Sequence, residues 1–222
     1  MSKKKKKDKR DDFLSLLSQG ILNVLDVGCG NGGLGSKLKE RGIGVIGIER
    51  NKSLCSQAAK NLDNVFLADI ESFKLPLSKK SFDCIMYADI LEHLIEPKNI
   101  LENYKEYLKD DGCIIASIPN IRYYKVILRL LLGGSWDYME HGILDKSHLR
   151  FFTLINIKEL FVAAGYQIVE VKRNIVASSG FKLLNFCLFG GLKEFLTYQY
   201  YIKAKKTDGR VAPGKKRKKY QF

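Results

Sequence analysis

The residues best suited to chemistry lie in one run, Leu25-Asp26-Val27-Gly28-Cys29-Gly30-Asn31-Gly32-Gly33. Glycines allow a tight turn and let a ligand approach the backbone closely, with helix amide groups nearby. Gly28, Gly30 and Gly33 spell the dinucleotide pattern GxGxxG, whereas Asp26, Gly28, Gly30 and Gly32 spell an acidic-x-GxGxG pattern. The loop alone therefore implies only a nucleoside-like ligand. Glu49, 21 positions after Gly28, stands where a carboxylate accepts from both ribose hydroxyls. Asp69 can accept from an exocyclic adenine amine. Asp26, just before the loop, would repel a pyrophosphate and attract an amino group or a sulfonium. The three carboxylates together suit a cationic nucleoside without phosphates, and no P-loop lysine is present.

The three histidines are the candidate general bases. His93 follows an apolar run in Leu91-Glu92-His93-Leu94, where it is either a base or a structural residue. His141 and His148 bracket Gly142–Ser147, with Arg150 two residues on. They suit a pocket for a substrate anion or, for His141, a base; a polar loop with His148 tied to backbone is the competing reading. No carboxylate–histidine spacing suggests a metal site.

The elements that must position these residues alternate. Ile21–Val27, Gly44–Ile48, Val65–Ala68, Phe82–Ala88 and Cys113–Ile118 read as buried strands. Between them, helices are expected over Leu34–Arg41, from the Asn51 cap to about Asn61, and from Glu96-Pro97 to about Leu108. Thr153 caps a further helix ending at Ala164, and Gln167–Val171 and Tyr198–Ile202 are two final strands. The fold class is α/β with a mostly parallel sheet. Residues 120–150 break the alternation and carry Tyr123 and the sole tryptophan, Trp136. An insertion after the fifth strand lies at the carboxyl edge of such a sheet, where ligands bind, so a lid or substrate wall is expected there. The stripe Tyr123–Leu132 suits either a membrane surface or, as expected here, ordinary core; Ile175–Leu196 is likewise expected to pack.

The chain has 222 residues, 45% of them hydrophobic, enough for one domain with a sizeable core. Its net charge of +14 is unevenly spread: residues 1–12 carry +4 and residues 203–222 carry +8, leaving +2 on 13–202. Both ends read as disordered basic tails around a nearly neutral domain. They could touch nucleic acid or anionic lipid, but solubilising ends are the simpler reading. Five scattered cysteines, Cys29, Cys55, Cys84, Cys113 and Cys187, form no CxxC pair and fit a reducing cytoplasm. No apolar run nears a membrane span, and the one after the N-terminal lysines is too short for a secretion signal.

With these residues in view, the sequence resembles the class I S-adenosylmethionine-dependent methyltransferases of the type-11 and type-23 group, which includes ubiquinone-type O-methyltransferases. The matching pieces are VLDVGCGNGG, GIGVIGIER, VFLADIE, SFDCIMYADILEHL with EPKNIL, and CIIASIPN, with HGILDKSHLRFFT and FVAAGYQIVEV less specific. The resemblance implies a Rossmann-like sheet of seven strands in the order 3-2-1-4-5-7-6, strand seven antiparallel, flanked by helices. It implies S-adenosylmethionine as cofactor and S-adenosylhomocysteine as product. Gly28, Gly30 and Gly32 would meet the methionine part, with Cys29 a small loop residue rather than a nucleophile. Asp26 would lie near the amino group, Glu49 on the ribose, Asp69 and Ile70 at the adenine edge, and Ala88 and Asp89 beside the cofactor. The family often has covering helices before the first strand, and here few residues precede it, so the substrate wall is expected from residues 120–150, through Tyr123, Trp136, His148 and Arg150, or from another subunit.

The expected reaction is methyl transfer to a small-molecule, lipid or sugar-precursor acceptor, most simply at oxygen, by a monomer or homodimer. A nicotinamide oxidoreductase would use Gly28, Gly30 and Gly33, but its Tyr-x-x-x-Lys pair occurs only as Tyr201/Lys205, at the wrong end of the chain. A nucleic-acid methyltransferase would use the tails, yet Tyr87-Ala88-Asp89-Ile90 lacks the proline-rich signature of amino-directed enzymes. A non-catalytic cofactor-binding module is the third alternative.

Overall fold

Seven strands pair into one sheet in the order β3-β2-β1-β4-β5-β7-β6. They are β1 Asn23–Val27, β2 Gly44–Glu49, β3 Asn64–Leu67, β4 Phe82–Ala88, β5 Leu108–Pro119, β6 Tyr166–Ile175 and β7 Thr197–Lys206. The first five run parallel, and β7 is antiparallel to both of its neighbours. This computed structural model describes residues 9–207; the tail residues 1–8 and 208–222 lie outside the described residues.

The central strands are apolar on both faces because helices cover both. Leu25, Val27, Ile85, Tyr87, Ile114 and Ala116 point into one core with Ile100, Leu101, Ile157 and Phe161. Those four come from α4 (Pro97–Tyr104) and α6 (Leu154–Ala163). Val24, Cys84, Met86 and Ile115 point the other way, against Phe13, Leu14, Leu38 and Ala58. These belong to α1 (Lys9–Leu14), α2 (Gly33–Lys39) and α3 (Lys52–Ala58). Local signals set the helix starts. Asn51 Oδ1 accepts the amides of Ser53 and Leu54 at 2.9 and 3.1 Å, and Thr153 forms a capping box with Asn156.

Parallel register aligns the strand ends that matter. Val27 lies beside Ile48 and Tyr87, and Ala88 beside Ser117. β7 enters from the same edge, with Gln199 opposite Pro119. The carboxyl ends of β1, β2, β4 and β5 and the start of β7 thus share one rim.

Several boundaries differ from expectation. The ordered chain begins before residue 13: α1 includes Arg10, Asp11 and Asp12, and it is anchored by Phe13 and Leu14, which are buried. At the other end β7 continues to Lys206, past residue 202, because β6 supplies partners as far as Tyr166. The helix expected to reach Leu108 ends at Tyr104 and becomes a 3-10 turn, freeing Leu108 to start β5. Residues 120–150 contain α5 (Tyr124–Gly133), none of whose residues is buried. Leu131 and Leu132 are 74% and 78% exposed, so the stripe expected to be core is a surface. The stretch Ile175–Leu196 folds as α7 (Ser179–Cys187) and α8 (Lys193–Leu196), with Phe186 and Phe189 fully or mostly exposed rather than packed.

One polar residue ties the start of the sheet. Asp83 accepts the amides of Leu22 and Asn23 at 3.0 and 2.8 Å and pairs with Lys109 at 2.6 Å. Burial pushes its carboxyl up, but the Lys109 hydrogen bond and the two amides outweigh it and hold it below the usual value. A depressed carboxyl contributes stability above its unfolded pKa that is lost as pH falls through the folded one. Asp83→Asn is therefore expected to lower stability by about 1–3 kcal/mol at neutral pH, with the deficit shrinking below about pH 4. Urea denaturation at both pH values checks this.

Candidate cofactor and acceptor site

The turn after β1 is a cradle made possible by two glycines. Gly28 has φ of +69°, and a Cβ there would lie 2.0 Å from Ile90 Cδ1. Gly30, with φ of +57°, faces open space: nothing lies within 4 Å of where its Cβ would point. The amides of Gly28 and Cys29 donate to the Ile48 carbonyl at 2.8 and 3.0 Å, fastening the loop to β2. The end of β2 fastens it again. Glu49 Oε2 accepts the Gly30 amide at 2.9 Å while Oε1 accepts the Asn51 amide at 2.8 Å. Both oxygens keep lone pairs for a ligand's hydroxyls.

Asp26 sits beneath this cradle, 1% exposed. Its Oδ2 is buried with no hydrogen-bond partner. Burial and then the nearby Glu49 charge raise its pKa to about 7, with Arg10 opposing. A buried carboxyl that lacks a partner is a receptor for a cation or a donor.

Two adjoining cavities open along the rim. One, about 200 Å³, is lined by Glu49, Asp69, Ile70, Ile90 and Leu94. The other, about 570 Å³, is lined by Asp26, Cys29, Gly30, Ala88, Glu92, His141, His148 and Tyr198 among others. Gly28, Asp89 and His93 border both. The residues expected at the ribose and the adenine edge, Glu49, Asp69 and Ile70, thus share the smaller cavity, and Asp26, Gly30 and Ala88, expected near the methionine part, share the larger. Asp89 holds positive φ, with its amide donating to Ser117 Oγ at 3.0 Å and its carboxylate accepting from Gln199.

The other expected residues divide. His141 is exposed and lines the larger cavity, as does the buried His148. Tyr123 is buried, donates to the Val176 carbonyl at 2.8 Å and packs on Tyr124 and Tyr198, so it supports the wall from behind. Trp136 packs on Phe151, and Arg150 donates to the Ile95 carbonyl and pairs with Glu96 at 3.6 Å; neither lines these cavities. Arg10 and Phe13 do, and the sequence reading missed them. The signal available was their spacing of three, which places both on one side of a short helix. Gln199 and Tyr201 were also missed as lining residues because they belong to a strand read only as sheet.

The glycine turn, the partnerless Asp26 oxygen and the carboxylates of Glu49 and Asp69 fit S-adenosylmethionine, whose amino and sulfonium groups are cationic. Comparison with known proteins agrees. The family described as a methyltransferase domain, type 23, matches residues 1–171. The ubiquinone biosynthesis O-methyltransferase of Coxiella burnetii is 31% identical over 144 residues, covering 62% of this chain and 59% of that protein. Its counterpart from Actinobacillus pleuropneumoniae is 29% identical over 138 residues, covering 57% and 58%. The chain thus spans less than two thirds of the length of these relatives. Among solved structures, an S-adenosylmethionine-dependent methyltransferase from Archaeoglobus fulgidus has a TM-score of 0.63 at 21% identity, over 85% of this chain and 87% of that one. One from Mesorhizobium loti has 0.62 at 15%, over 88% and 96%. At such identities the structures speak for the fold.

Two outcomes follow for this site. Gly28→Ala forces both a left-handed alanine and a clash with Ile90, and is expected to lower stability by about 2–4 kcal/mol. Gly30→Ala adds only backbone strain, about 1–2 kcal/mol, but puts a methyl into the cradle and should abolish cofactor binding; thermal melts with calorimetry separate the two. For Asp26, a raised carboxyl favours the ligand-free fold when protonated, and that contribution is lost as pH rises through about 7. A cationic ligand prefers the ionised form, so affinity for S-adenosylmethionine should rise between about pH 6 and 8. Asp26→Asn should flatten that rise while raising the ligand-free melting temperature at the upper pH.

A braced glycine turn over a buried carboxyl, on a sheet of this order and in a chain matched over residues 1–171, shows that the chain belongs to the family described as a methyltransferase domain, type 23, and has the fold of the S-adenosylmethionine-dependent methyltransferases.

Proposed function

We propose that the protein methylates an oxygen of a small, lipid-like acceptor that enters from a membrane surface. The observation that carries this reading is the apolar surface beside the cavity. Leu131, Leu132, Leu183, Phe186 and Phe189 are between 65% and 100% exposed on α5, on α7 and just after it. Tyr198 lines the cavity and packs on Tyr123, Tyr123 on Tyr124, and Tyr124 on Phe181 at the start of α7, so a run of rings joins cavity to surface. Lys125, exposed on the same helix, suits an anionic bilayer, while Arg129 pairs with Asp137. Among the described residues no helix is long and apolar enough to cross a membrane, so contact would be peripheral. Oxygen as acceptor is supported by the distant relatives, which are named O-methyltransferases.

The cofactor supplies an electrophilic methyl group on a sulfonium when bound. The chain's own residues orient and shield. Asp26 and the Gly28–Gly32 turn hold the methionine end, and Glu49 with Asp69 and Ile70 hold the nucleoside. Holding acceptor and methyl group in line contributes about 7–11 kcal/mol without any reacting side chain. His141, exposed in the same cavity, can take the acceptor proton, which adds a factor of about 10²–10⁴ where the acceptor is neutral. The basic tails add attraction to an anionic surface without choosing the acceptor.

Labelled methyl donor, the full chain and vesicles carrying hydroxylated lipids test this. Label should enter the lipid fraction, and Leu131→Glu with Phe186→Glu should cut vesicle sedimentation and raise KM for the lipid at unchanged donor affinity. Equal transfer to water-soluble acceptors, with no vesicle binding, would refute the lipid reading.

A further inference from the structure

Two cysteines that lie far apart in the chain are neighbours in the sheet. Cys84, near the start of β4, pairs in register with Cys113 on β5. Directly paired residues on parallel strands point to the same face, and both cysteines join the core built around Phe13, Leu14 and Met86. Neighbouring strands lie about 4.7–4.9 Å apart, within the Cα separation of about 4.4–6.8 Å that a disulfide spans. Both thiols are free in this structure. A hydrogen bond from Cys84 lowers the Cys113 thiol below its ordinary value, with burial opposing and the charges of Lys203 and Lys205 assisting. Burial, and then Cys113 itself, push the Cys84 thiol well up. One sulfur is thus inclined to ionise beside one that keeps its proton.

Access is divided in the same way. Cys84 is fully buried, whereas Cys113 is 4% exposed. Cys113 directly follows Lys109–Gly112, which leave the β4 register and include the exposed Asp110 and Asp111. On its other side it pairs with the exposed Lys205 of β7. The remaining cysteines have no such strand partner: Cys29 belongs to the glycine turn, Cys55 to α3 and Cys187 to α7. Burial, Asp26 and Glu49 push the Cys29 thiol up to about 12, which leaves it a poor nucleophile. Neither Cys84 nor Cys113 lines the cavities of the cofactor rim.

We infer that Cys84 and Cys113 form a dithiol modification site whose substrate is a hydroperoxide, with Cys113 as the attacking sulfur and Cys84 as the resolving one. The Cys113 thiolate attacks the terminal peroxide oxygen, the O–O bond breaks, and the departing oxyanion takes a proton from water. The sulfur is oxidised by two electrons to a sulfenic acid, and the peroxide is reduced to an alcohol or to water. The Cys84 sulfur then attacks the sulfenic sulfur. Its proton leaves with the hydroxide as water, and a disulfide joins β4 to β5. A dithiol reductant returns both thiols by exchange. The site stands independently of any acceptor for methyl transfer.

Hydrogen peroxide, applied to the full-length chain carrying Cys187→Ser to prevent links between molecules, tests this. Samples are trapped by alkylation in denaturant, and the cysteine peptides are identified by mass spectrometry. The Cys84–Cys113 disulfide is expected as the first product, formed roughly tenfold faster than any oxidation of Cys29 or Cys55, and dithiothreitol should restore two alkylatable thiols. Cys84→Ala should stop at a sulfenic acid on Cys113, captured by dimedone, and Cys113→Ala should yield neither product. Oxidation of Cys29 or Cys55 while Cys113 stays alkylatable, dimedone on Cys84 in place of Cys113, or a disulfide that forms only in urea would overturn the inference. The first and third of these outcomes need no substitution at the pair, so they decide even where an alanine variant fails to fold.

Discussion

The bracing of the glycine turn by the end of β2 is the contact on which the site depends. Glu49 spends its two oxygens on the amides of Gly30 and Asn51, so one side chain fixes the cradle and the start of α3 together. Because the Ile48 carbonyl takes the two preceding loop amides, those of Gly28 and Cys29, the turn is locked to its neighbour strand at three consecutive positions. Only with the loop held in this way does Asp26 stay buried beneath it with one oxygen open. A buried carboxyl that lacks a partner lowers stability in the ligand-free protein, and a cationic ligand offsets that cost on binding. The site is therefore tuned to charge as much as to shape.

The same rim serves two tasks because parallel strands end together. The ends of β2 and β3 lead into Glu49, Asp69 and Ile70 around the smaller cavity, while β4, β5 and the start of β7 lead into Ala88, Asp89, Ser117, Pro119 and Gln199 around the larger one. Carboxylate groups cluster at this rim, and two of them are answered locally: Asp89 by Gln199, with Ser117 fixing its backbone, and Glu49 by amides. Glu92 alone of these has neither oxygen bonded. Burial first, and then the charge of Asp89, push its carboxyl well above the ordinary value.

Much of the first half of the site could be read from residues close in sequence. The glycine spacing, the acid before it and Glu49 at the end of the next apolar run all follow from a single βαβ unit, where local periodicity suffices. The sheet order came from family resemblance, since periodicity carries no information on which strands neighbour each other. Three features escaped for physical reasons. The Tyr123–Leu132 stripe has the same pattern whether it faces core or solvent, and only the absence of a covering element made it a surface. The Glu92, His93 and His148 group joins residues far apart in the chain through backbone bonds of the Leu149–Arg150 strap to Glu92, and no sequence spacing encodes such a contact. The charged composition of the N-terminal segment likewise masked α1, although Phe13 and Arg10 both reach the cavity.

The antiparallel β7 has a consequence for how the chain matures on the ribosome. It lies between β5 and β6, although it follows both in the chain, so β6 has no place to dock until Thr197–Lys206 has emerged. The nucleoside half, complete by β4, can form during translation, whereas the wall containing Tyr198, Gln199 and Tyr201 closes only afterwards. A nascent chain would thus hold a donor-binding shell well before it had an acceptor chamber, and premature termination within β7 would leave the edge of β5 open for pairing with another polypeptide.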